Sequence, residues 1–406
     1  MTSHAKTGVW AAVILSSFLI LSSFPGRAGE SSPSGLMIGI KIYDYTGSFP
    51  KLFEEWRSLG INTVFVSPAL ESKPEFRALA KENGIATFII LPIFFNAEEL
   101  EKRPDLYAIT DKGEKAVDDW VKFVCPTRED YRREKIDYVK NLIRDLDPDG
   151  ISLDFIRYFV FWEMVYPERT LRSLANTCFC PTCLEGFQKA AKVKIPGNLS
   201  DASEKAKWIL DNHLQEWTEW KCSVITGMAK ALAEEARKIK PGIKINVHLV
   251  PWRADDFGGA VKIIAGQDQA QIAAFADYLS PMCYHHMVKQ TPGWVHSVVK
   301  DVYNTTRGAV IPSIQVKEAY LTEILSVSEF KEALAESLKP PSRGVVFWNW
   351  VTLSKSPEKQ EVVKAVLKLH GREQRGQATL GKVASPQIFR SGRGAPVPCP
   401  FLRVVL

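Results

Sequence analysis

The chain has 406 residues, of which 46% are hydrophobic and 11% aromatic, enough for the core of one large α/β domain or of two smaller domains. Its formal net charge is +6, but six basic residues and one acidic residue lie after Gly371, so the rest of the chain is nearly neutral. This balance excludes the basic surface stripe of a nucleic-acid-binding protein, and we expect no nucleic-acid partner. Residues 372–406, which are basic and rich in Gly and Pro, are predicted to be a disordered tail.

The N-terminal segment has the pattern of a secretory signal peptide. A basic residue precedes an apolar run over residues 9–24, and small residues then lead into a polar stretch. We predict a signal peptide over residues 1–29, cleaved near Ala28 or Gly29, and a linker over residues 30–35. The alternative is an uncleaved membrane anchor, although the run is shorter than the ~20 residues that a span requires. A cleaved signal predicts a secreted or periplasmic protein without stable membrane insertion.

From residue 36 onward, apolar strands alternate with amphipathic helices. The predicted strands are Leu36–Asp44, Asn62–Pro68, Ala86–Phe95, Asp149–Tyr158, Lys244–Trp252, Asp277–His286, Ala309–Val316 and Gly344–Trp350. Eight strands that are each followed by a helix are the signature of an α/β protein of the (β/α)8, or TIM, barrel type, to which we assign residues 36–371. The competing doubly wound sheet usually has a glycine-rich phosphate-binding turn after its first strand, and this sequence has none.

An insertion of about residues 159–213 follows the fourth strand and contains three closely spaced cysteines, Cys178, Cys180 and Cys183. In an exported protein, disulfides are the first expectation for such a cluster. Together with Cys125 the three thiols could instead bind a structural zinc ion, although the spacing lacks a clean second C-x-x-C. The sequence leaves disulfides, a metal site and free thiols open.

The active site of a (β/α)8 barrel lies at the carboxyl ends of its strands. Because side chains alternate between the two faces of a strand, the fourth strand directs Ser152 and Asp154 into the barrel. A carboxylate among apolar neighbours is costly to bury. Asp154 is therefore either paired with Lys41 or Arg157 or stands at the catalytic rim of the barrel.

The same alternation collects polar and aromatic side chains at this end of the barrel. The candidate binding residues are Lys41, Tyr43, Asp44, Arg157, His248, Trp252, Tyr284, His285, Gln315 and Trp350. Aromatic faces combined with hydrogen-bonding groups suit a sugar ring, which has apolar C–H faces and hydroxyl edges. We therefore expect a carbohydrate substrate, no cofactor and no metal ion at this site.

Several segments resemble one family. The segment CPTREDYRREKIDYVKNLIRDLDPDGISLDFIRY, residues 125–158, resembles the predicted glycoside-hydrolase barrels that occur widely in bacterial genomes. The stretches DYLSPMCYHH and PSIQV resemble the sixth and seventh strands of that family, and CFCPTCLEGF resembles a cysteine insertion of some members. The resemblance implies a barrel that acts on a polysaccharide or glycoconjugate, with Asp154 as the catalytic carboxylate and Arg157 and Tyr158 beside it.

Glycoside hydrolysis of this kind requires a second carboxyl group, so that one group protonates the leaving oxygen and the other acts as nucleophile or base. The inward ends of the fifth, sixth and seventh strands contain neither Asp nor Glu. The remaining candidates are the rim residues Glu318, Asp44, Asp255 and Asp256. We favour Glu318 as the second catalytic residue because it follows the inward-facing Gln315.

Two other functions remain open. A barrel that binds carbohydrate without cleaving it would need no second carboxyl group. A metal-dependent polysaccharide deacetylase could use His248, His285 and His286, although adjacent residues of a strand point in opposite directions. The identity of the sugar, its linkage, the stereochemical outcome and the oligomeric state cannot be predicted from the sequence.

Overall fold

The computed structural model describes residues 35–383 and the side-chain environments of residues 35–371. The predicted signal peptide, almost all of the predicted linker and residues 384–406 lie outside the described residues. The described part of the chain alternates strands with helices from Met37 to the last helix, as the sequence predicts.

Eight parallel strands form the central sheet. They are β1 (Met37–Ile42), β2 (Thr63–Val66), β3 (Ala86–Pro92), β4 (Gly150–Asp154), β5 (Lys244–Leu249), β6 (Tyr278–Pro281), β7 (Ser313–Gln315) and β8 (Gly344–Trp348). Their order in the sheet is β6-β5-β4-β3-β2-β1-β8-β7, and each pair of neighbours is parallel. Two parallel bridges, Leu279–Val310 and Met282–Ser313, join β6 to the β7 region. The prediction of a (β/α)8 barrel is therefore confirmed.

Helices cover the outside of the barrel. They are α1 (Phe49–Ser58), α2 (Pro68–Glu71), α3 (Pro74–Glu82), α4 (Ala97–Lys102), α5 (Glu129–Leu146), α6 (Pro181–Ala191), α7 (Ala202–Asn212), α8 (Leu214–Ile239), α9 (Ala260–Ile263), α10 (Gln269–Ala273), α11 (Pro292–Thr306), α12 (Val327–Leu338), α13 (Trp350–Leu353) and α14 (Pro357–Val383). None of them is both long and apolar enough to cross a bilayer, within the residues described. Helices α6 and α7 belong to the insertion after β4.

The last helix differs from its predicted extent. The sequence predicts that the barrel ends at residue 371 and that a disordered tail begins at residue 372, whereas α14 continues to Val383. The stretch from 372 to 383 contains Glu, Gln, Arg, Ala and Leu, which favour helix, and no proline. The first proline after the start of α14 is Pro386, so nothing in this stretch has to end the helix.

The side chains of the strands divide between two cores. Ile38, Ile40 and Ile42 of β1 belong to the large core between the sheet and the helices. A smaller apolar cluster fills part of the barrel interior and consists of Phe65, Phe88, Ile90, Ile311 and Val346. Gly150 at the start of β4 makes room for this cluster, because a Cβ atom there would lie 2.3 Å from the ring of Phe88.

Candidate active site

A cavity of about 490 Å³ lies at the carboxyl ends of the strands, where barrel enzymes bind their substrates. Its volume falls within the range of about 300–1,000 Å³ that is typical of ligand pockets. Nineteen residues line it: Lys41, Tyr43, Ser67, Pro68, Ile90, Pro92, Phe95, Trp120, Asp154, Phe155, Arg157, Trp162, Glu163, Met282, Tyr284, Met287, Tyr320, Trp348 and Asn349. Aromatic and charged side chains thus meet in one concave site.

Asp154 is the last residue of β4 and lines this cavity. Its side chain is largely buried, and its Oδ1 accepts a hydrogen bond from the backbone N–H of Phe155 at 2.8 Å. Among the described residues, neither Lys41 nor Arg157 forms an ion pair with Asp154. The charge of Asp154 nevertheless acts to raise the pKa of both, against the larger effect of burial. Asp154 therefore lies beside an open cavity, where a bound ligand can contact its carboxylate.

A second carboxyl group, Glu163, lines the same cavity. It belongs to the β4 loop, which we define as residues 155–180 between β4 and α6, and only 8% of its surface is exposed. Burial raises the pKa of Glu163 to about 7, Arg157 opposes this shift, and the charge of Asp154 adds to it. Its Oε2 is buried without a hydrogen-bond partner in the described structure. Glu163 can therefore hold a proton near neutral pH.

Arg157 anchors the β4 loop beneath these two carboxyl groups. Its Nη1 donates to the carbonyl oxygens of Tyr158, at 3.3 Å, and Val160, at 2.7 Å. The guanidinium lies over the rings of Phe123 and Phe155, at 4.8 and 5.4 Å from their centroids. Burial lowers the pKa of Arg157 to about 10, and its Nε lacks a hydrogen-bond partner among the described residues. One donor of this buried cation remains unused beside the cavity.

A buried polar network supports the floor of the cavity. Lys41 Nζ donates to Tyr284 Oη at 3.1 Å and lies 3.4 Å from His248 Nδ1. His248 Nε2 lies 2.8 Å from Ser152 Oγ, which also accepts a hydrogen bond from Asn246 Nδ2 at 2.8 Å. Burial and the nearby Lys41 lower the pKa of His248 to about 3, so this imidazole is neutral. Burial also lowers the pKa of Lys41 to about 8, against the influence of Asp154.

Aromatic rings form much of the cavity wall. Tyr284 and Trp348 stack with their centroids 4.7 Å apart and their planes 15° apart, and Trp162 lies 5.7 Å from Tyr284. On another wall, Phe95 and Phe155 stack at 4.8 Å. Such flat apolar faces can pack against the C–H face of a pyranose ring.

The structure brings together only part of the predicted site. Lys41, Tyr43, Asp154, Arg157 and Tyr284 line the cavity. The other candidates lie elsewhere: Asp44 is exposed beside the rim, His248 and Gln315 are buried within the barrel, His285 is buried behind the site, Trp252 lines a separate cleft, and Trp350 packs against Trp56.

Glu318, which we favoured as the second carboxyl group, does not line the cavity. Its Oε2 accepts a hydrogen bond from the backbone N–H of Leu325 at 3.3 Å, and its Oε1 lies 3.8 Å from Lys317 Nζ. Hydrogen bonds from backbone N–H groups and the charges of Lys317 and Lys359 outweigh desolvation and lower its pKa. Glu318 thus makes local contacts within its own loop.

The histidines considered for a deacetylase do not converge on one point. His285 Nε2 and His286 Nδ1 both lie within hydrogen-bond distance of Glu329 Oε1, at 3.1 and 3.0 Å. His248 instead contacts Lys41 and Ser152. Over the described part of the chain, the one group of three or more His, Cys, Asp or Glu residues with metal-binding spacing is a cluster of cysteines.

The sequence does not single out Glu163 as a candidate, because Glu163 lies in the insertion after the fourth strand, where no strand alternation assigns it a face. The signal was nevertheless present in the stretch FVFWEMVYP, where Glu163 is the one charged residue among aromatic and apolar neighbours. The same pattern singled out Asp154 in β4. Trp120 and Tyr320, which also line the cavity, lie in loops far apart in sequence and gave no comparable signal.

The cysteine cluster lies beside the β4 loop. The sulfur atoms of Cys125, Cys178, Cys180 and Cys183 all lie within 4.8 Å of one another and are buried. Cys125 Sγ is 3.5 Å from Cys180 Sγ and 3.4 Å from Cys183 Sγ. Tetrahedral zinc with Zn–S bonds near 2.3 Å requires sulfur separations of about 3.8 Å, whereas a disulfide requires about 2.05 Å. The expected disulfides are absent from the described residues, and the four thiols fit a closed structural metal site.

The surroundings of the cluster also suit a metal bound by four thiolates, which has a net negative charge. The backbone N–H of Ile109 donates to Cys178 Sγ at 3.2 Å. The buried Lys221 and the half-buried Arg132 both interact electrostatically with the thiols. Such a metal would join the segment before α5 to the β4 loop.

Comparison with known proteins supports the fold. No protein-family model matches the sequence, and no curated protein matches it either. The glycoside hydrolase domain of PgaB (BpsB) from Bordetella bronchiseptica is similar in structure, with a TM-score of 0.62 and 10% identity over 82% of this chain and 98% of that domain. For a β-galactosidase from Marinomonas ef1, the TM-score is 0.62 and the sequence identity is 10%, over 82% of this chain and 59% of that chain. For α-L-fucosidase isoenzyme 2 from Paenibacillus thiaminolyticus, the TM-score is 0.54 and the sequence identity is 14%, over 84% of this chain and 50% of that chain.

These identities are low, so the similarity establishes a shared barrel fold. This chain spans half to three fifths of the β-galactosidase and fucosidase chains, but nearly all of the PgaB domain. The barrel of this protein thus belongs to a fold that these glycoside hydrolases use.

Proposed function

We propose that the protein is an exported glycoside hydrolase of the barrel type, which acts on a polysaccharide or glycoconjugate. The observation that carries the proposal is the pair Asp154 and Glu163, two carboxyl groups that line one aromatic cavity at the catalytic end of the barrel. The barrels of similar structure, which include a β-galactosidase and an α-L-fucosidase, support a carbohydrate substrate. Export rests on the N-terminal signal pattern in the sequence.

The surroundings of the two carboxyl groups suggest their roles. A glycosidase needs one group that carries a proton and one that is ionised, and different environments separate their pKa values. Burial in the β4 loop raises the pKa of Glu163 to about 7, which suits the acid that protonates the leaving oxygen. Asp154 accepts a backbone hydrogen bond at 2.8 Å and lies near the cations Lys41 and Arg157, which suits the nucleophile or base.

The other lining residues would bind the sugar. Trp348 and Tyr284 form a stacked pair that offers an apolar face, and Trp162 lies against Tyr284. Lys41, which lines the cavity, can donate hydrogen bonds to hydroxyl or ring oxygens. The polar network beneath them holds Lys41 in place.

The proposal is tested by a screen of aryl glycosides and soluble polysaccharides that includes β-galactosides and α-L-fucosides. We expect the protein from residue 36 onward to release sugar from at least one of them and Asp154→Asn to lose this activity. Loss by more than about 10³-fold is expected, since both protonation states of the pair are needed. Unchanged turnover by the folded Asp154→Asn protein would contradict the proposal, and binding without cleavage by the parent would favour a carbohydrate-binding barrel.

A further inference from the structure

Two loops from opposite sides of the barrel meet at the cavity. The β3 loop, residues 93–128, contains Trp120, and the β7 loop, residues 316–326, contains Tyr320. Trp120 Nε1 donates a hydrogen bond to Tyr320 Oη at 2.8 Å. In the ring of eight strands, β3 and β7 lie half-way round from each other. A contact between their loops must therefore cross the mouth of the barrel.

A third loop joins this contact. Phe161 of the β4 loop packs against Trp120 with centroids 5.9 Å apart and against Tyr320 at 5.4 Å. We call Trp120, Phe161 and Tyr320 the aromatic bridge. Trp120 and Tyr320 also line the cavity that contains Asp154. The cavity therefore lies between the carboxyl ends of the strands and the aromatic bridge.

The two sides of the cavity differ in exposure. On the side of β4 and β6, the lining residues Arg157, Trp162 and Met287 are buried. On the side of β8, β1 and β2, Asn349 is half-buried and Tyr43 is 43% exposed. A ligand can therefore approach from the side of β8, β1 and β2, whereas the β4 loop closes the opposite side.

We propose that the aromatic bridge makes the site a pocket with one open end, which admits the terminal sugar of a glycan chain and excludes internal sugars. This inference rests on the proposed function. An internal segment continues in both directions, so it could enter only if the contact between Trp120 and Tyr320 opened. A chain end can enter beneath the intact bridge. The protein would then remove sugars from chain ends.

The first test concerns the bridge itself and does not depend on catalysis. Tyr320→Ala removes the ring and Tyr320→Phe removes only the hydroxyl, while Ile324→Ala shortens a side chain of the same loop that is 78% exposed. Hydrogen–deuterium exchange should increase in residues 115–123 in Tyr320→Ala, less in Tyr320→Phe and not in Ile324→Ala. Unchanged exchange in Tyr320→Ala would overturn the bridge.

The second test concerns chain ends. Soluble galactan, fucan, β-glucan and partly deacetylated chitin are digested, and released sugars are compared with the size distribution of the remaining polymer. We expect the wild type to release small sugars while polymer length hardly changes. Tyr320→Ala and Trp120→Ala should raise the ratio of internal to terminal cleavage on the order of tenfold, and Ile324→Ala should not.

The outcomes separate the two proposals. A wild type that shortens the polymers from the start by internal cleavage overturns the inference and leaves the proposed function standing. If Tyr320→Ala and Trp120→Ala still cleave only at chain ends, the proposed role of the aromatic bridge is also overturned. A wild type that hydrolyses none of the polymers or aryl glycosides contradicts the proposed function, and the inference fails with it.

Discussion

The cavity and the cysteine cluster are two buried groups of ionisable side chains on neighbouring loops, and they differ in how their polar atoms are satisfied. In the cavity, Glu163 Oε2 and Arg157 Nε are buried without partners in the described structure. In the cluster, thiols contact one another, and Thr127 Oγ1 lies 3.1 Å from both Cys125 Sγ and Cys183 Sγ. Unpaired buried polar groups are costly, so these two atoms of the cavity residues lower the stability of the folded protein.

The comparison predicts different consequences for the two regions. The unpaired polar groups of the cavity lower the stability of the ligand-free protein. Substitutions there should therefore change activity more than stability. The cluster closes on itself, so substitutions there should change stability first. If cavity substitutions mainly changed stability, or cluster substitutions mainly changed activity, the roles assigned to the two regions would be wrong.

After the loss of activity expected for Asp154→Asn, the largest effect is expected for Glu163→Gln. Gln cannot supply a proton, so kcat should fall by about 10²–10⁴-fold for substrates with poor leaving groups. With 2,4-dinitrophenyl glycosides, whose leaving group needs no protonation, most of the rate should return. Steady-state kinetics on the two substrate classes measures this difference, and an equal loss on both would contradict the role of Glu163 as the acid.

The same variant should change the pH profile. The acid must carry its proton, and the pKa of Glu163 is raised to about 7 by burial, so the wild-type rate should fall as the pH rises through about 7. Glu163→Gln should lack this decline. A profile of kcat/KM over about two pH units on either side of that pKa measures the effect. An alkaline limb that persists in the variant would assign the acid to another group.

The next effect concerns the cluster. We expect about one zinc ion per chain in purified protein and its loss in Cys180→Ser, because a structural site needs all four thiolates. The melting temperature should fall by several degrees, since about 1 kcal/mol corresponds to roughly 2–4 °C in large domains. Cys283→Ser is the matched control, because Cys283 is buried outside the cluster. Metal-free protein of unchanged stability would contradict a structural metal.

The barrel was predictable because each strand is a short apolar run and each helix has an amphipathic period, and both signals are local. Asp154 was predictable for the same reason, since a charge stands out within a buried strand. Glu163 carries an equal signal but lies in an irregular loop, where no periodicity assigns a face to a residue. The contact between Trp120 and Tyr320 joins loops that are distant in sequence. It depends on how the eight strands close into a barrel, so no local sequence pattern predicts it.

A smaller effect on stability should accompany the catalytic loss in Glu163→Gln. The pKa of Glu163 is about 7 in the folded protein and 4.5 ordinarily, so the folded state binds the proton more tightly. The raised pKa of Glu163 therefore contributes about 3 kcal/mol to the free energy of unfolding below pH 4.5. This contribution is lost as the pH rises through 7. Gln does not titrate, so the stability of the variant relative to wild type should increase as the pH rises.

Urea unfolding of both proteins at several pH values measures this difference. Glu71, whose pKa burial also raises to about 7, titrates in both proteins and cancels in the comparison. A stability difference that did not depend on pH would show that Glu163 is not held in a desolvated site.

The smallest effect is expected for Glu318→Gln, and it separates the carboxyl group chosen from sequence from the one that lines the cavity. Glu318 bonds to Leu325 within its own loop and does not face the substrate, so kcat/KM should stay within about twofold, as for a typical surface substitution. Assayed beside Glu163→Gln, it controls for removal of a carboxylate near the rim. A loss as large as that of Glu163→Gln would mean that the β7 loop moves over the cavity during turnover, and the static assignment of the acid would then have to be abandoned.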